Sequence, residues 1–189
     1  MVAIIVLGFW APWIEAWGVG QRVSLLEWLA LELSRTGMVR FTGATIAVIL
    51  LATAIASVAA ILRVWGTAYL GPGVVNHVQM KAGALMADGP YRFVRNPLYL
   101  GTWGIIAALS FAMPPTGALF TMVSLSIFLL RLILGEESFL EGELGEAYAL
   151  YKRAVPRLYP RLRGSLPPSG HHAHWMRGVL AETNPIGIF

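Results

Sequence analysis

Two short polar clusters stand out in an otherwise oily chain of 189 residues. The first is Asp88–Gly101, DGPYRFVRNPLYLG, which holds two fixed positive charges, Arg92 and Arg95, and two phenols, Tyr91 and Tyr99. Asp88-Gly89-Pro90 reads as a turn, because glycine tolerates positive φ and proline fixes φ without offering an N–H. Asn96-Pro97 then opens a helix, with Asn as the N-cap and Pro at the first helical position. The second cluster is Arg131 with Glu136-Glu137. Guanidinium groups beside a helix N-terminus attract a carboxylate or phosphate, and glutamates attract an ammonium group. Brought together, the clusters can hold a small zwitterion. Each also has a plainer reading. The first can be a basic loop at the membrane edge, and the second a charged stop after a membrane helix, with Arg131 snorkelling to the headgroups.

The elements that must position these groups are set by composition. The chain is 57% hydrophobic and 13% charged, with a mean hydropathy of +0.65. A soluble domain carries about 25% charged residues. This chain therefore belongs in a membrane. Its net charge of +4 is small. The cations concentrate between Arg63 and Arg95 and after Tyr151, which suits anionic headgroups rather than nucleic acid. There is no cysteine, so disulfides, thiolate nucleophiles and cysteine-bound metals are excluded. His171, His172 and His174 lack a partner spacing for a metal and read as a solvated tail; no metal is expected.

Phe41–Leu62 is the clearest spanning helix, 22 residues without a charge and rich in small residues. Val64–Ala87 reads as a long loop, or a broken helix and loop, interrupted at Gly71-Pro72-Gly73, with His77 and Lys81 as its polar candidates. Leu98–Met113 and Thr116–Leu130 are apolar and joined by Pro114-Pro115, a helical hairpin whose second arm can extend through Leu134. Such a hairpin returns the chain to the face it left, so the two polar clusters meet at one membrane surface. From Glu136 to Tyr151 one amphipathic helix is predicted, with Leu140, Leu144, Ala147, Tyr148 and Tyr151 on one face; Gly142 and Gly145 weaken it. Lys152–Arg163 is a basic, proline-punctuated exit. At the other end, Met1–Ile14 reads as a first membrane helix ending near Trp13–Trp17, and Leu25–Leu33 as a short interfacial helix. The basic excess places the Arg63–Arg95 loop and the Lys152–Arg163 exit on the cytoplasmic side.

The stretch GPYRFVRNPLYLG (Gly89–Gly101), followed by EESFLEGELGEAYALYKRAVPR (Glu136–Arg157), resembles the isoprenylcysteine carboxyl methyltransferase and phospholipid methyltransferase superfamily. The resemblance covers about Arg63–Pro160. It implies an integral-membrane methyltransferase that uses S-adenosylmethionine near the cytosolic surface, with a lipid acceptor entering sideways. It assigns Tyr91, Arg95, Asn96, Pro97 and Tyr99 to the cofactor-contacting motif, Glu136 and Glu137 to the paired glutamates, and Tyr148 and Tyr151 to the tyrosines that follow. The family usually carries His where this chain has Asn96. Asn hydrogen-bonds and caps, but is no general base near neutral pH. On this reading Arg95 and Glu137 hold the cofactor's amino-acid portion, supported by Arg92, Asn96 and Glu136. Arg95, Asn96 and Glu137 are the catalytic set.

The expectation is thus an all-α integral-membrane helical bundle in the cytoplasmic membrane of a prokaryote. A short hairpin would frame a cofactor pocket open to the cytosol. Residues 1–62 would form N-terminal membrane helices with an interfacial connector, 63–163 the methyltransferase core, and 164–189 a C-terminal tail. The favoured acceptor is an isoprenylcysteine-type carboxylate, and phospholipid N-methylation is the alternative. A membrane sterol-type reductase or a non-enzymatic scaffold are readings of a different class. Partners are the bilayer and the lipid-like acceptor, not nucleic acid.

Overall fold

The long uncharged stretch that begins at Phe41 is helical in the computed structural model, which describes residues 1–10, 23–70, 88–167 and 172–186. Seven α-helices occur among the described residues, six of them within segments the sequence predicts as helical and the seventh within the expected C-terminal tail. They are α1 (Val2–Trp10), α2 (Leu25–Arg35), α3 (Phe41–Leu70), α4 (Pro97–Ser110), α5 (Pro115–Leu144), α6 (Glu146–Ala154) and α7 (Trp175–Ile186), with a 3-10 turn at Gly89–Arg92. Two of them, α3 and α5, are long and apolar enough to cross a membrane. At 30 residues each, they extend about 45 Å against a hydrocarbon core of about 30 Å. Leu50, Val58 and Ile61 of α3 are largely exposed, as lipid-facing side chains are.

The chain forms two compact units, Met1–Ala59 with Trp103–Leu129, and Ala60–Thr102 with Leu130–Phe189. In the first, α1 packs on α5 through glycine: Gly8 lies against Thr121 and Gly117, leaving no room for a Cβ on either glycine. The interfacial helix predicted over Leu25–Leu33 is α2. It is started by a capping box in which Ser24 Oγ accepts from Glu27 N at 3.2 Å and Glu27 Oε2 accepts from Ser24 N at 2.8 Å. Its first amides donate to the carbonyls of Met113 and Phe111 at 2.7 and 2.9 Å, so it sits at the proline turn of the hairpin. Trp103 Nε1 donates to Ser126 Oγ at 3.0 Å, tying α4 to α5.

The second unit holds the polar clusters. Besides α7, which occupies the expected C-terminal tail, the helices here differ from expectation in three places. First, α3 runs on through Val64–Leu70, past the expected end of the spanning helix at Leu62, because no proline occurs before Pro72. Second, α5 runs unbroken past Leu134 to Leu144, so Glu136 and Glu137 share one helix with the apolar arm rather than opening a separate one. Third, the predicted amphipathic helix over Glu136–Tyr151 is broken. Gly145 adopts φ 54°, ψ −127°, a conformation that only glycine takes readily, and α6 starts anew after it. That break lets Tyr148, Tyr151, Val155 and Leu140 close into one buried cluster. The end of the first apolar segment near Trp13–Trp17, the Gly71-Pro72-Gly73 interruption, His77, Lys81 and His171 lie outside the described residues.

Candidate active site

The motif at Asp88–Gly101 is shaped by its turn chemistry. Gly89, at φ 54°, starts the 3-10 turn, where its Cα packs against the Tyr69 ring. Pro90 and Tyr91 are buried within that turn. Pro97 begins α4, and the Asn96 carbonyl accepts from Leu100 N at 3.0 Å. The expected Asn-Pro helix start is therefore present.

The exit segment after α6 runs back along this motif. Arg95 N donates to the Pro156 carbonyl at 2.9 Å, Arg161 N to the Phe93 carbonyl at 3.1 Å, and Ser165 N to the Arg92 carbonyl at 2.8 Å. The two backbones thus run antiparallel and satisfy each other's polar groups, as buried main chain requires. Arg92 serves this pairing: its Nε donates to the Leu166 carbonyl at 2.6 Å, and it does not line the cavity described below.

At the centre stands Glu137, only 3% exposed. Arg157 grips it with Nη2 at 2.8 Å from Oε2 and Nε at 3.1 and 3.2 Å from the two oxygens. Asn96 Nδ2 donates to Oε1 at 3.2 Å and also to the Arg157 carbonyl at 3.2 Å. Arg95 Nε lies 3.3 Å from Oε1 as an ion pair, while Arg95 Nη1 donates to the Lys152 carbonyl at 3.1 Å. A buried carboxylate is tolerable because its oxygens are filled this way. The same hydrogen bonds hold the Arg157 guanidinium more firmly protonated than usual. Nothing in the sequence pattern singled out Arg157 from the other cations of the exit segment. Its role depends on the path of an irregular stretch that periodicity does not describe.

Around this anchor opens a cavity of about 740 Å³, within the roughly 300–1,000 Å³ of small-molecule sites. Tyr91, Arg95, Asn96, Pro97 and Tyr99 line one part of it, and Arg131, Glu136 and Glu137 another. The hairpin has brought the two sequence clusters together. Tyr148 and Tyr151 line it as well, as does Arg63. Glu136 is exposed beside the Tyr99 phenol, and Arg131 is exposed with no ion-pair partner among the described residues.

The phenols are neutral. Burial pushes Tyr148 up to about 12, and the Glu137 charge adds to the effect. Burial, then the neighbouring Tyr148, raises Tyr151, which donates to the Tyr91 carbonyl at 2.9 Å. Burial also raises Tyr91 well above the ordinary phenol range. One buried donor of the lining, Tyr91 Oη, has no hydrogen-bond partner, and Arg95 Nε has only its 3.3 Å ion pair with Glu137. Buried groups of this kind are rarely left unpaired. A ligand rich in acceptor atoms, with both a carboxylate and an ammonium group, fits that donor set and the adjacent acids.

The phospholipid methyltransferase family model matches residues 39–147. This stretch carries the Asp88–Gly101 motif and Glu136-Glu137, and stops short of Tyr148, Arg157 and α7. No curated protein and no solved structure matches the chain significantly.

Proposed function

The chain belongs to the phospholipid methyltransferase family, and from that premise we propose that it methylates the amine of an aminophospholipid headgroup in the cavity of the second unit. It is a membrane enzyme that uses S-adenosylmethionine. This sets aside the reductase and scaffold readings. The family is named for phospholipid acceptors, which favours the N-methylation alternative over the isoprenylcysteine carboxylate.

S-adenosylmethionine, when bound, supplies an electrophilic methyl group on a sulfonium. The protein's task is to align the acceptor and exclude water. Tyr91 Oη is the unpaired donor of the lining and would serve the cofactor's polar end, with Arg95 beside it held by Glu137. Glu137, already filled by Arg157, Asn96 and Arg95, fixes Arg95 and Asn96 in place. Glu136 is the more exposed acid and attracts the cofactor ammonium or the lipid amine.

The observation that carries the acceptor reading is Arg131. It is an exposed guanidinium within the otherwise apolar stretch Thr116–Leu134 of α5, it lines the cavity, and it has no ion-pair partner among the described residues. A charge placed so deep in an apolar segment is costly unless it is used. A lipid phosphate would complete it bidentately. The amine must shed a proton before it attacks, and Asn96 cannot take it at neutral pH. Glu136, beside Tyr99, is the acid with open valence in the lining. The cavity is read as opening to the cytoplasm, as the cationic segments on either side of the hairpin suggest.

The test is transfer of radiolabelled methyl groups to vesicles of phosphatidylethanolamine, compared with a prenylated cysteine carboxylate in the same bilayer. Label in the phospholipid is expected, with Arg131→Leu raising its KM about tenfold. Label in the prenyl carboxylate alone would overturn the acceptor.

A further inference from the structure

The last described helix carries a buried carboxylate with no part in the chemistry above. Glu182 of α7 is 6% exposed. Its Oε2 accepts from Arg63 Nε at 2.7 Å, and its Oε1 accepts from Thr67 Oγ1 at 2.6 Å. Arg63 also donates through Nη1 to Thr102 Oγ1. Arg63 and Thr102 both line the cavity. The helix is seated closely. His174 N donates to the Ala68 carbonyl at 2.9 Å, and a Cβ on Gly178 would stand 2.9 Å from Ala68 Cβ and 3.0 Å from the Ala68 backbone. Arg63 and Thr67, four residues apart, share one face of α3. A carboxylate this buried is expensive unless paired, and both of its oxygens are. It lies beyond residue 147, where the family match ends.

We infer that Glu182 is a positioning residue for the methyl-transfer cavity. It locks Arg63 so that the guanidinium presents its remaining N–H groups to an anionic oxygen group of a bound ligand. Arginine carries five N–H donors in a rigid fork. The contacts to Glu182 and Thr102 use one on Nε and one on Nη1, and the other three stay available at the cavity wall. The anion is either the cofactor carboxylate or the acceptor phosphate. The inference rests on reading this cavity as the methyl-transfer site.

The experiment uses the full-length protein in detergent or bilayer. The Kd for S-adenosylmethionine is measured by titration, and kcat and KM are measured with phosphatidylethanolamine vesicles. The variants are Glu182→Gln, Arg63→Met and the double substitution, with Arg95→Ala as the reference. Glu182→Gln is expected to weaken cofactor Kd, or raise acceptor KM, by about tenfold while kcat stays within about twofold. The first outcome places the anion on the cofactor, the second on the acceptor. Because Glu182 acts through Arg63, the double variant is expected to be no worse than Arg63→Met alone. Unchanged Kd and KM in Glu182→Gln, additive effects in the pair, or a fall in kcat alone would overturn the assignment. If Glu182→Gln does not fold, the double variant decides, since it leaves no buried charge unpaired: tenfold weaker binding supports the assignment and wild-type binding overturns it. Wild-type Kd in Arg95→Ala would instead remove the cavity as the cofactor site, a separate failure.

Discussion

Glu137 and Glu182 are both buried acids that hold an arginine of the cavity wall, yet they are built differently. Glu137 sits about two turns before the end of a long helix and is gripped by two guanidinium groups and an amide. Glu182 sits on a short helix and is held by one guanidinium and one hydroxyl. The first resembles a keystone, since removing it would strip the counter-charge from two arginines, one of them the buried Arg95. The second is a latch, since losing it would free one arginine that is partly reached by solvent. The same residue type thus serves stability in one place and orientation in the other, according to how many charges converge on it.

This contrast can be broken or sharpened by substitution. The largest effect is expected from Glu137→Ala, which leaves Arg95 and Arg157 without their counter-charge. Stability should fall by about 3–5 kcal/mol, read by thermal unfolding in detergent, and methyl transfer should be abolished. If Glu137→Ala and Glu182→Gln lose equal stability, the keystone and latch distinction is gone. Arg157→Ala comes next. It removes charge-assisted bonds of about 1.5–3 kcal/mol but leaves Arg95 and Asn96 on Glu137, so the protein should fold with weakened cofactor binding in the same titration. The smallest effect is expected at Lys152, whose 2.8 Å pair with Glu141 is largely exposed. Lys152→Ala should change stability by under about 1 kcal/mol and leave cofactor affinity unaltered, a control that ion pairs away from the two buried acids carry little.

The contrast also marks what could be read from the residues alone. Tyr91, Arg95, Asn96, Pro97 and Tyr99 were legible because turn residues and a helix start put them side by side. Glu136 and Glu137 joined them because a proline turn between two apolar arms leaves little choice of where the second arm returns. The helices α3 and α5 were visible as apolar runs. Their true ends were not, because a helix continues past a charge when nothing breaks it, as at Arg63 and Glu136. Gly145 was seen as a weakness but acts as a break, since the buried tyrosines gain more by turning than by continuing. Arg92 carries the charge expected of a ligand contact, yet it is spent on a backbone carbonyl. Arg157 and Glu182 were not legible as site residues. Their partners lie 20 and 119 residues away along the chain, and no local period links such distances.

The antiparallel seam between Arg92–Arg95 and Pro156–Ser165 bears on the order of events at the ribosome. Arg95 is made 61 residues before Pro156, a wait of roughly 3–12 s at ordinary rates of synthesis. Throughout that interval the motif's main-chain groups and its arginines have neither the seam nor Glu137's full complement. A nascent chain halted at residue 147 would contain every residue of the family match and still lack the zipper that closes it.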